Sequence, residues 1–279
     1  MSNNENRTTL VLGGTGRVGR RIAERLDRRG VPTRLGSRTG EPPFDWEAPE
    51  TWPAAVEGVH AAYLMYYPEI EFPGAAESIG ALSELAVERG VRRLVLLSAR
   101  GQDEARRAEE AVRRLPVEWT ILAASAFDQN FDEGVFLEPL RNGLLAVPAG
   151  DTPDPFVDVD DIADVATAAL TEDGHAGQRY EVTGPRLLTL HEVVATIGEA
   201  AGREIRYEPV TARQFADGLV AEEAAPRDVA DLLADLLAQY FDGRNASVGD
   251  GVERVLGRQP RDFADWARDV AATGVWKGV

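Results

Sequence analysis

The fold is decided by the sequence Thr9-Leu10-Val11-Leu12-Gly13-Gly14-Thr15-Gly16-Arg17-Val18-Gly19-Arg20. An apolar run leads into glycines, and the amphipathic residues that follow predict a helix to about residue 29. This order predicts a strand, a tight turn and a helix. The glycine spacing suits a phosphate site, because glycines permit the turn and let the backbone approach a pyrophosphate at the helix N-terminus.

Strand and helix patterns alternate along the residues that follow. Strands are predicted at about residues 31–36, 59–65, 91–98 and 117–123, and the continuous apolar run at 59–65 is typical of a buried parallel strand. We also expect a short strand at 44–46. The predicted fold class is therefore α/β: a Rossmann-type doubly wound parallel sheet with a smaller, mostly helical C-terminal lobe. The expected domains are 1–150, which binds the dinucleotide, and 151–279, which returns to the sheet and forms a substrate-binding lobe that is largely helical beyond about residue 203.

The end of the second predicted strand selects the cofactor. An acidic residue here would bind the ribose 2′-OH of NAD, whereas an arginine accommodates the 2′-phosphate of NADP. The sequence has Ser37 and Arg38, with no carboxylate before Glu41. We therefore expect NADP(H), the alternative being that Arg38 is a solvated loop residue.

Other predicted contacts lie at the ends of the later strands. Ligands of open α/β sheets bind beyond the carboxyl ends of the strands, which makes Tyr66 and Tyr67 candidates for the substrate pocket, although surface packing explains either one equally well. The predicted cofactor contacts are Gly13, Gly14, Thr15, Gly16, Arg17, Val18, Gly19, Ser37, Arg38, Asp45, Met65 and Ser98.

Composition excludes several other classes. The chain of 279 residues has no cysteine, a net charge of −17 and three histidines without ligand spacing. Disulfides, a thiol nucleophile and a metal site are not expected, and the charge argues against nucleic acid or an anionic membrane as partner. No apolar run is long enough for a membrane span and the first residues are polar, so we expect a cytoplasmic protein with a small-molecule substrate. The sequence does not distinguish a monomer from a homodimer.

The chain resembles the NmrA-like branch of the atypical short-chain dehydrogenases over nearly its whole length. The segments that carry the resemblance are 13–19, 94–98, 118–122, 127–131, 155–163, 180–185 and 255–263. Within that branch it is similar to the fungal ergot-alkaloid reductases, on the segments Phe44-Asp45-Trp46-Glu47, Thr51-Trp52 and Gln129-Asn130-Phe131-Asp132-Glu133-Gly134. The resemblance implies NADP binding and an iminium-type substrate, in a setting such as secondary metabolism.

Two positions depart from the wider family. Its Tyr-x-x-x-Lys pair, in which the tyrosine protonates a carbonyl oxygen, is impossible here because the sole lysine is Lys277. The usual Arg-Pro after the strand at 117–123 reads Ala123-Ala124. Reduction of a ketone needs a proton donor, whereas an iminium, quinone-like or cationic dye-like acceptor is already electrophilic and needs mainly hydride and alignment.

If an acid is required, the candidates for catalysis are Tyr66, Ser98 and Asp128, with Tyr67 as a further phenol. The predicted substrate contacts are Tyr66, Tyr67, Phe127 and Asp128. Asp128 would attract a cationic substrate or, equally, cap the turn after Phe127. Phe127 would pack near the nicotinamide or belong to the core.

Three functions remain open at this stage. The first is an NADPH-dependent reductase of a small or polycyclic conjugated acceptor. The second is a redox sensor or regulatory protein that binds NADP(H) without turnover, as some NmrA-like proteins do. The third is a cyclase or isomerase that does no redox chemistry on the same fold. The missing tyrosine–lysine pair is what the second function predicts.

Overall fold

The computed structural model describes residues 7–221 and 223–278. Its contacts divide the chain into two compact units. The first unit consists of the chain up to Ala124 together with Val159–Val182 and Gly249–Arg258, and the second of Ser125–Asp158, Thr183–Val248 and Gln259–Val279. This division differs from a single boundary at residue 150, because the stretch from Val159 to Val182 supplies a helix and a strand to the first unit.

The described residues form eight strands and eleven helices. The strands are β1 Thr8–Leu12, β2 Thr33–Gly36, β3 Val59–Leu64, β4 Arg93–Ala99, β5 Glu118–Ala124, β6 Leu144–Val147, β7 Gln178–Val182 and β8 Arg206–Pro209. The helices are α1 Arg17–Arg28, α2 Trp52–Val56, α3 Ala75–Glu88, α4 Asp103–Arg113, α5 Leu137–Arg141, α6 Val159–Thr171, α7 Leu190–Ala201, α8 Ala212–Ala221, α9 Arg227–Tyr240, α10 Gly251–Leu256 and α11 Phe263–Ala272. Within this part of the chain, no helix has the length and apolar character needed to cross a bilayer.

The first unit is built on a six-stranded sheet in the order β2-β1-β3-β4-β5-β7. Every pair of neighbours in it is parallel. Side chains alternate between its two faces. Leu10 and Leu12 pack in one cluster with Ile79 of α3 and Ala108 of α4, whereas α1 and α6 contact each other and the strands from the opposite side. Helices thus cover both faces, and the predicted doubly wound α/β fold is confirmed.

The expected strand at residues 44–46 is wrong. In the structure this segment is a loop held by aromatic packing. The Phe44 and Trp46 rings pack edge to face at 5.1 Å, and the Trp52 indole donates to the Asp45 carbonyl oxygen at 2.8 Å. The Phe44 amide donates to the Ser37 carbonyl oxygen, within the same connection. Because this segment is a loop and not a strand, β2 is an edge strand of the sheet.

The second unit combines helices with a small sheet. Its strands β6 and β8 pair in parallel. The prediction of a largely helical segment beyond residue 203 did not include β8, because its side chains are mostly exposed and carry no apolar alternation. The core is aromatic: the Phe131 ring packs against Phe156 and Phe263, and the Trp276 indole donates to the Phe131 carbonyl oxygen at 2.7 Å. Rings with one polar atom fill this core while satisfying a backbone acceptor.

Candidate dinucleotide-binding site

The connections of the first unit diverge at β1. From β1 the chain runs to β2 on one side, whereas β3 pairs with β1 on the other side. The turn after β1 and the segment after β3 therefore meet at the carboxyl edge of the sheet, where the strand order reverses. This is the position at which open α/β sheets bind ligands.

The glycine turn has the geometry that its spacing predicted. Gly13 has φ +62°, which a glycine adopts without strain. Its amide donates to the Gly36 carbonyl oxygen at 3.0 Å, and its own carbonyl oxygen accepts from the Gly16 amide at 2.8 Å. A Cβ on Gly19 would lie 2.2 Å from the Gly13 carbonyl oxygen. Only glycine at position 19 lets α1 pack this closely on the turn.

The N-terminus of α1 suits an anion. Gly16 is extended and Arg17 begins the helix, so Thr15, Arg17 and Val18 lie in or beside the first turn. The first amides of an α-helix have no intrahelical acceptor and carry its positive dipole end. No acidic residue stands in that turn. The segment Gly13–Gly19 therefore fits a pyrophosphate.

The segment after β3 lies directly against the glycine turn. The sulfur of Met65 is 2.7 Å from the position that a Cβ on Gly13 would occupy. The Trp46 indole donates to the Met65 carbonyl oxygen at 3.2 Å, and its ring packs on Tyr66 with centroids 4.9 Å apart. The structure thus brings Met65 to the glycine turn, and the half-buried Tyr66 follows it in the chain against Trp46.

Ser37 and Arg38 lie in the turn that follows β2. The Ser37 carbonyl oxygen accepts from the Gly40 amide at 3.0 Å, and the exposed Arg38 guanidinium lies 5.8 Å from the ring centroid of Tyr67. The Asp45 carboxylate accepts from the Glu47 amide at 3.1 Å and so closes its own loop, and its contact with the cofactor stays a prediction. Arg38 thus follows β2, whose last residue accepts from the Gly13 amide, and its contact with a 2′-phosphate stays a prediction.

Ser98 lies at the end of β4 but is almost fully buried, with 3% of its surface exposed. Its hydroxyl donates to Glu109 Oε1 of α4 at 2.8 Å. Arg179 of β7 donates to the other oxygen of that carboxylate at 2.9 Å. A serine hydroxyl donates one hydrogen bond, and that of Ser98 is donated to Glu109. The Ser98 hydroxyl therefore has a structural partner in α4, and its assignment as a proton donor and cofactor contact stays a prediction.

Phe127 and Asp128 belong to the second unit, whereas the glycine turn belongs to the first. A short 3₁₀ turn covers Asp128–Asn130, with the half-buried Phe127 immediately before it. Asp128 is fully buried, and its amide donates to the Val157 carbonyl oxygen at 2.9 Å. The aspartate thus lies in the first turn, one residue beyond the cap position.

Sequence reasoning missed two carboxylates in the segment after β3. Burial and the charge of Glu69 raise the pKa of Glu71 to about 7. Glu69 reaches solvent, yet burial still raises its pKa, and the charge of Arg17 opposes that effect. The one signal available was position, because both residues follow a predicted strand at the edge where ligands bind.

A doubly wound parallel sheet with a glycine turn at its switch point defines a dinucleotide-binding protein of the Rossmann class. The chain belongs to the NmrA-like family of atypical short-chain dehydrogenases/reductases, together with the ergot-alkaloid reductases, which confirms the resemblance seen in the sequence. No family model matches the sequence.

The relatives of the chain match it along nearly its whole length. It is 32% identical to the uncharacterized oxidoreductase YesF of Bacillus subtilis, with 96% of this chain and 97% of the relative covered. It is 31% identical to festuclavine synthase II of Penicillium roqueforti, with coverages of 93% and 97%. Among solved structures, the NADPH-dependent quinone oxidoreductase QOR2 of Escherichia coli, complexed with NADPH, has a TM-score of 0.78 at 19% identity, with coverages of 94% and 99%. At that identity the last match supports the fold alone.

Proposed function

We propose that the protein is an NADPH-dependent reductase that transfers hydride to a small or polycyclic conjugated acceptor of the iminium, imine or quinone-like type. The observation that carries the cofactor assignment is the position of Arg38. It follows β2 beside the glycine turn, and a cation at this place favours the 2′-phosphate of NADP.

The residues of the first unit have distinct roles in this proposal. The backbone of Gly13–Gly19 receives the pyrophosphate at the N-terminus of α1, and Arg38 pairs with the 2′-phosphate. Met65 packs on the turn and fixes its shape. The nicotinamide of bound NADPH supplies the hydride, and the protein supplies position and electrostatics.

The proposed class of acceptor follows from the missing acid. The sequence has one lysine, Lys277, so a tyrosine–lysine pair does not assist proton transfer. The Ser98 hydroxyl donates its hydrogen bond to Glu109. An acceptor that is already electrophilic needs alignment more than protonation. The name of a festuclavine synthase among the relatives supports this class.

One of the predicted residues, Tyr66, keeps a role in catalysis and substrate binding in this proposal. Tyr66 packs on Trp46, the residue that also donates to the Met65 carbonyl oxygen. We assign it as the group that would hydrogen-bond a developing anion on the acceptor.

The deciding experiment is a cofactor titration followed by an acceptor screen. NADPH and NADH are titrated by nucleotide fluorescence into the wild type, Arg38→Ala and the control Arg28→Ala, which removes an exposed arginine at the other end of α1. Quinones, imines and cationic dyes are then added while oxidation of NADPH is followed by absorbance.

We expect Arg38→Ala to weaken NADPH binding about 10- to 100-fold, because a charge-assisted contact is lost. NADH binding and both affinities of Arg28→Ala should stay near the wild type. Oxidation by an acceptor supports the reductase. Tight binding without oxidation across the panel would favour the sensor or the cyclase, and no binding of either nucleotide would contradict all three functions.

A further inference from the structure

An exposed tyrosine and an arginine meet next to the glycine turn. Tyr67 follows β3 and leaves 63% of its surface exposed. Arg38 follows β2, and its guanidinium carbon is 5.8 Å from the centre of the Tyr67 ring. Since β1 lies between β2 and β3 in the sheet, this contact joins the two segments that flank the turn after β1.

The backbone in front of Tyr67 is firmly held. Trp46 donates to the Met65 carbonyl oxygen and packs on Tyr66, and the Met65 side chain fills the space beside Gly13. Trp46 is itself buried with Phe44 and Trp52. Tyr67 is therefore presented to Arg38 from a fixed support, although its own ring is mostly in solvent.

The position of Arg38 depends on such a support. A long exposed arginine loses rotamer freedom when it binds a phosphate. An aromatic face attracts the guanidinium and limits the orientations that it adopts before the ligand arrives. The Tyr67 ring is the aromatic face that the structure places within cation–π distance of Arg38.

We propose that Tyr67 is a positioning residue that orients the Arg38 guanidinium for the 2′-phosphate and so contributes to the preference for NADPH over NADH. The inference rests on the proposed function, in which Arg38 binds that phosphate. It gives Tyr67 a role in cofactor selection instead of the substrate contact that the sequence suggested.

The test measures the dissociation constants of NADPH and NADH for four proteins besides the wild type: Tyr67→Leu, Tyr67→Phe, Arg38→Ala and the double variant Tyr67→Leu/Arg38→Ala. Leucine removes the aromatic face and keeps apolar bulk, whereas phenylalanine keeps the face and serves as the matched control. Because Tyr67 is mostly exposed, thermal unfolding should not change among its variants, and this is checked first.

We expect Tyr67→Leu to lower the ratio of NADPH to NADH affinity about 2- to 5-fold, the effect of an exposed cation–π contact. Tyr67→Phe should keep the wild-type ratio. In the Arg38→Ala background, Tyr67→Leu should not change the ratio further, because the contact is already absent.

Two results would overturn the inference while leaving Arg38 in its role. One is an unchanged ratio in Tyr67→Leu when Arg38→Ala lowers it. The other is an equal loss of both nucleotides in Tyr67→Leu, which would mean that the ring contacts the shared part of the dinucleotide. If Arg38→Ala itself leaves the ratio unchanged, the 2′-phosphate assignment fails, and the role of Tyr67 fails with it.

Discussion

The hydroxyl of Ser98 donates to the buried carboxylate of Glu109 at 2.8 Å. This bond joins the end of β4 to α4, and Arg179 of β7 binds the same carboxylate. The serine therefore belongs to a buried polar network of the first unit. Such networks fix local geometry, and removal of one member costs stability because a buried charge loses a partner.

Ser98→Ala should lower stability by about 1 kcal/mol, because Glu109 keeps its arginine partner when the hydroxyl is removed. NADPH oxidation with a competent acceptor should keep its kcat. Glu109→Gln is the comparison variant and should destabilise more, since Arg179 then loses a buried charge partner. Thermal unfolding and steady-state kinetics check both. A large fall in kcat for Ser98→Ala at unchanged melting temperature would instead support a catalytic role for Ser98.

Gly13→Ala should abolish nucleotide binding. The alanine Cβ needs the space that the Met65 sulfur occupies, and φ +62° is costly for any residue with a Cβ. Gly30→Ala is the matched control, because Gly30 has φ +67° with nothing within 4 Å of its Cβ position.

Both glycine variants should lose about 1 kcal/mol of stability from the backbone conformation alone. Only Gly13→Ala should lose its NADPH fluorescence titration. Equal nucleotide binding in the two variants would show that the contact with Met65 does not define the site.

Tyr63→Phe should leave the protein as stable as the wild type or raise its stability by up to about 1 kcal/mol. Tyr63 lies in the central strand β3, fully buried, and its hydroxyl has no hydrogen-bond partner among the residues that the structure describes. Burial of an unpaired hydroxyl is unfavourable, and phenylalanine removes it without leaving a cavity. Thermal unfolding measures the effect. A clear drop in melting temperature would mean that the hydroxyl has a partner such as buried water.

Glu71 should make the protein less stable as pH rises. Burial and the charge of Glu69 raise the pKa of Glu71 in the folded protein to about 7, above the ordinary value of 4.5. The folded state therefore holds this proton more tightly than the unfolded state, and stability falls between about pH 4.5 and pH 7.

Glu71→Gln should accordingly be more stable than the wild type at pH 8, by about 1–2 kcal/mol. The difference should shrink as pH falls through 7 and disappear below pH 4.5. Unfolding curves at a series of pH values test this, with Glu57→Gln, an exposed residue of the same unit, as control. A stability difference that is constant across this range would contradict the assigned titration.

The local chemistry of the phosphate site was predictable from sequence. At Gly13 and Gly19 a Cβ would collide with a packed side chain or with backbone, so both positions require glycine. The spacing of the glycines in the sequence indicates this requirement. The proposed role of Arg38 was predicted from its place in the sequence, two residues after a strand whose neighbour carries the glycine turn. Tyr66 was predictable only in its place at the sheet edge, because its packing on Trp46 depends on a loop from another connection.

Other features depended on contacts between distant segments. The residues at 44–46 carry strand-like apolar character, yet their aromatic rings pack as a loop cluster. β8 has mostly exposed side chains, and its pairing with β6 is what makes it a strand. Ser98 follows the alternation of β4, but Glu109, which accepts its hydrogen bond, lies on α4.

The sequence by itself determined the α/β class, the glycine turn at the end of β1 and the cation at the end of β2. Apolar periodicity and glycine spacing are local properties, and they reflect backbone conformations that adjacent residues impose. Only the tertiary structure decided three contacts. The Arg38 guanidinium lies near the Tyr67 ring, the Met65 side chain fills the space beside Gly13, and the Ser98 hydroxyl donates to Glu109. The first two contacts join residues from separate connections of the sheet, and their proximity arises only when the strands pair in the order β2-β1-β3. The third joins β4 to the helix that follows it.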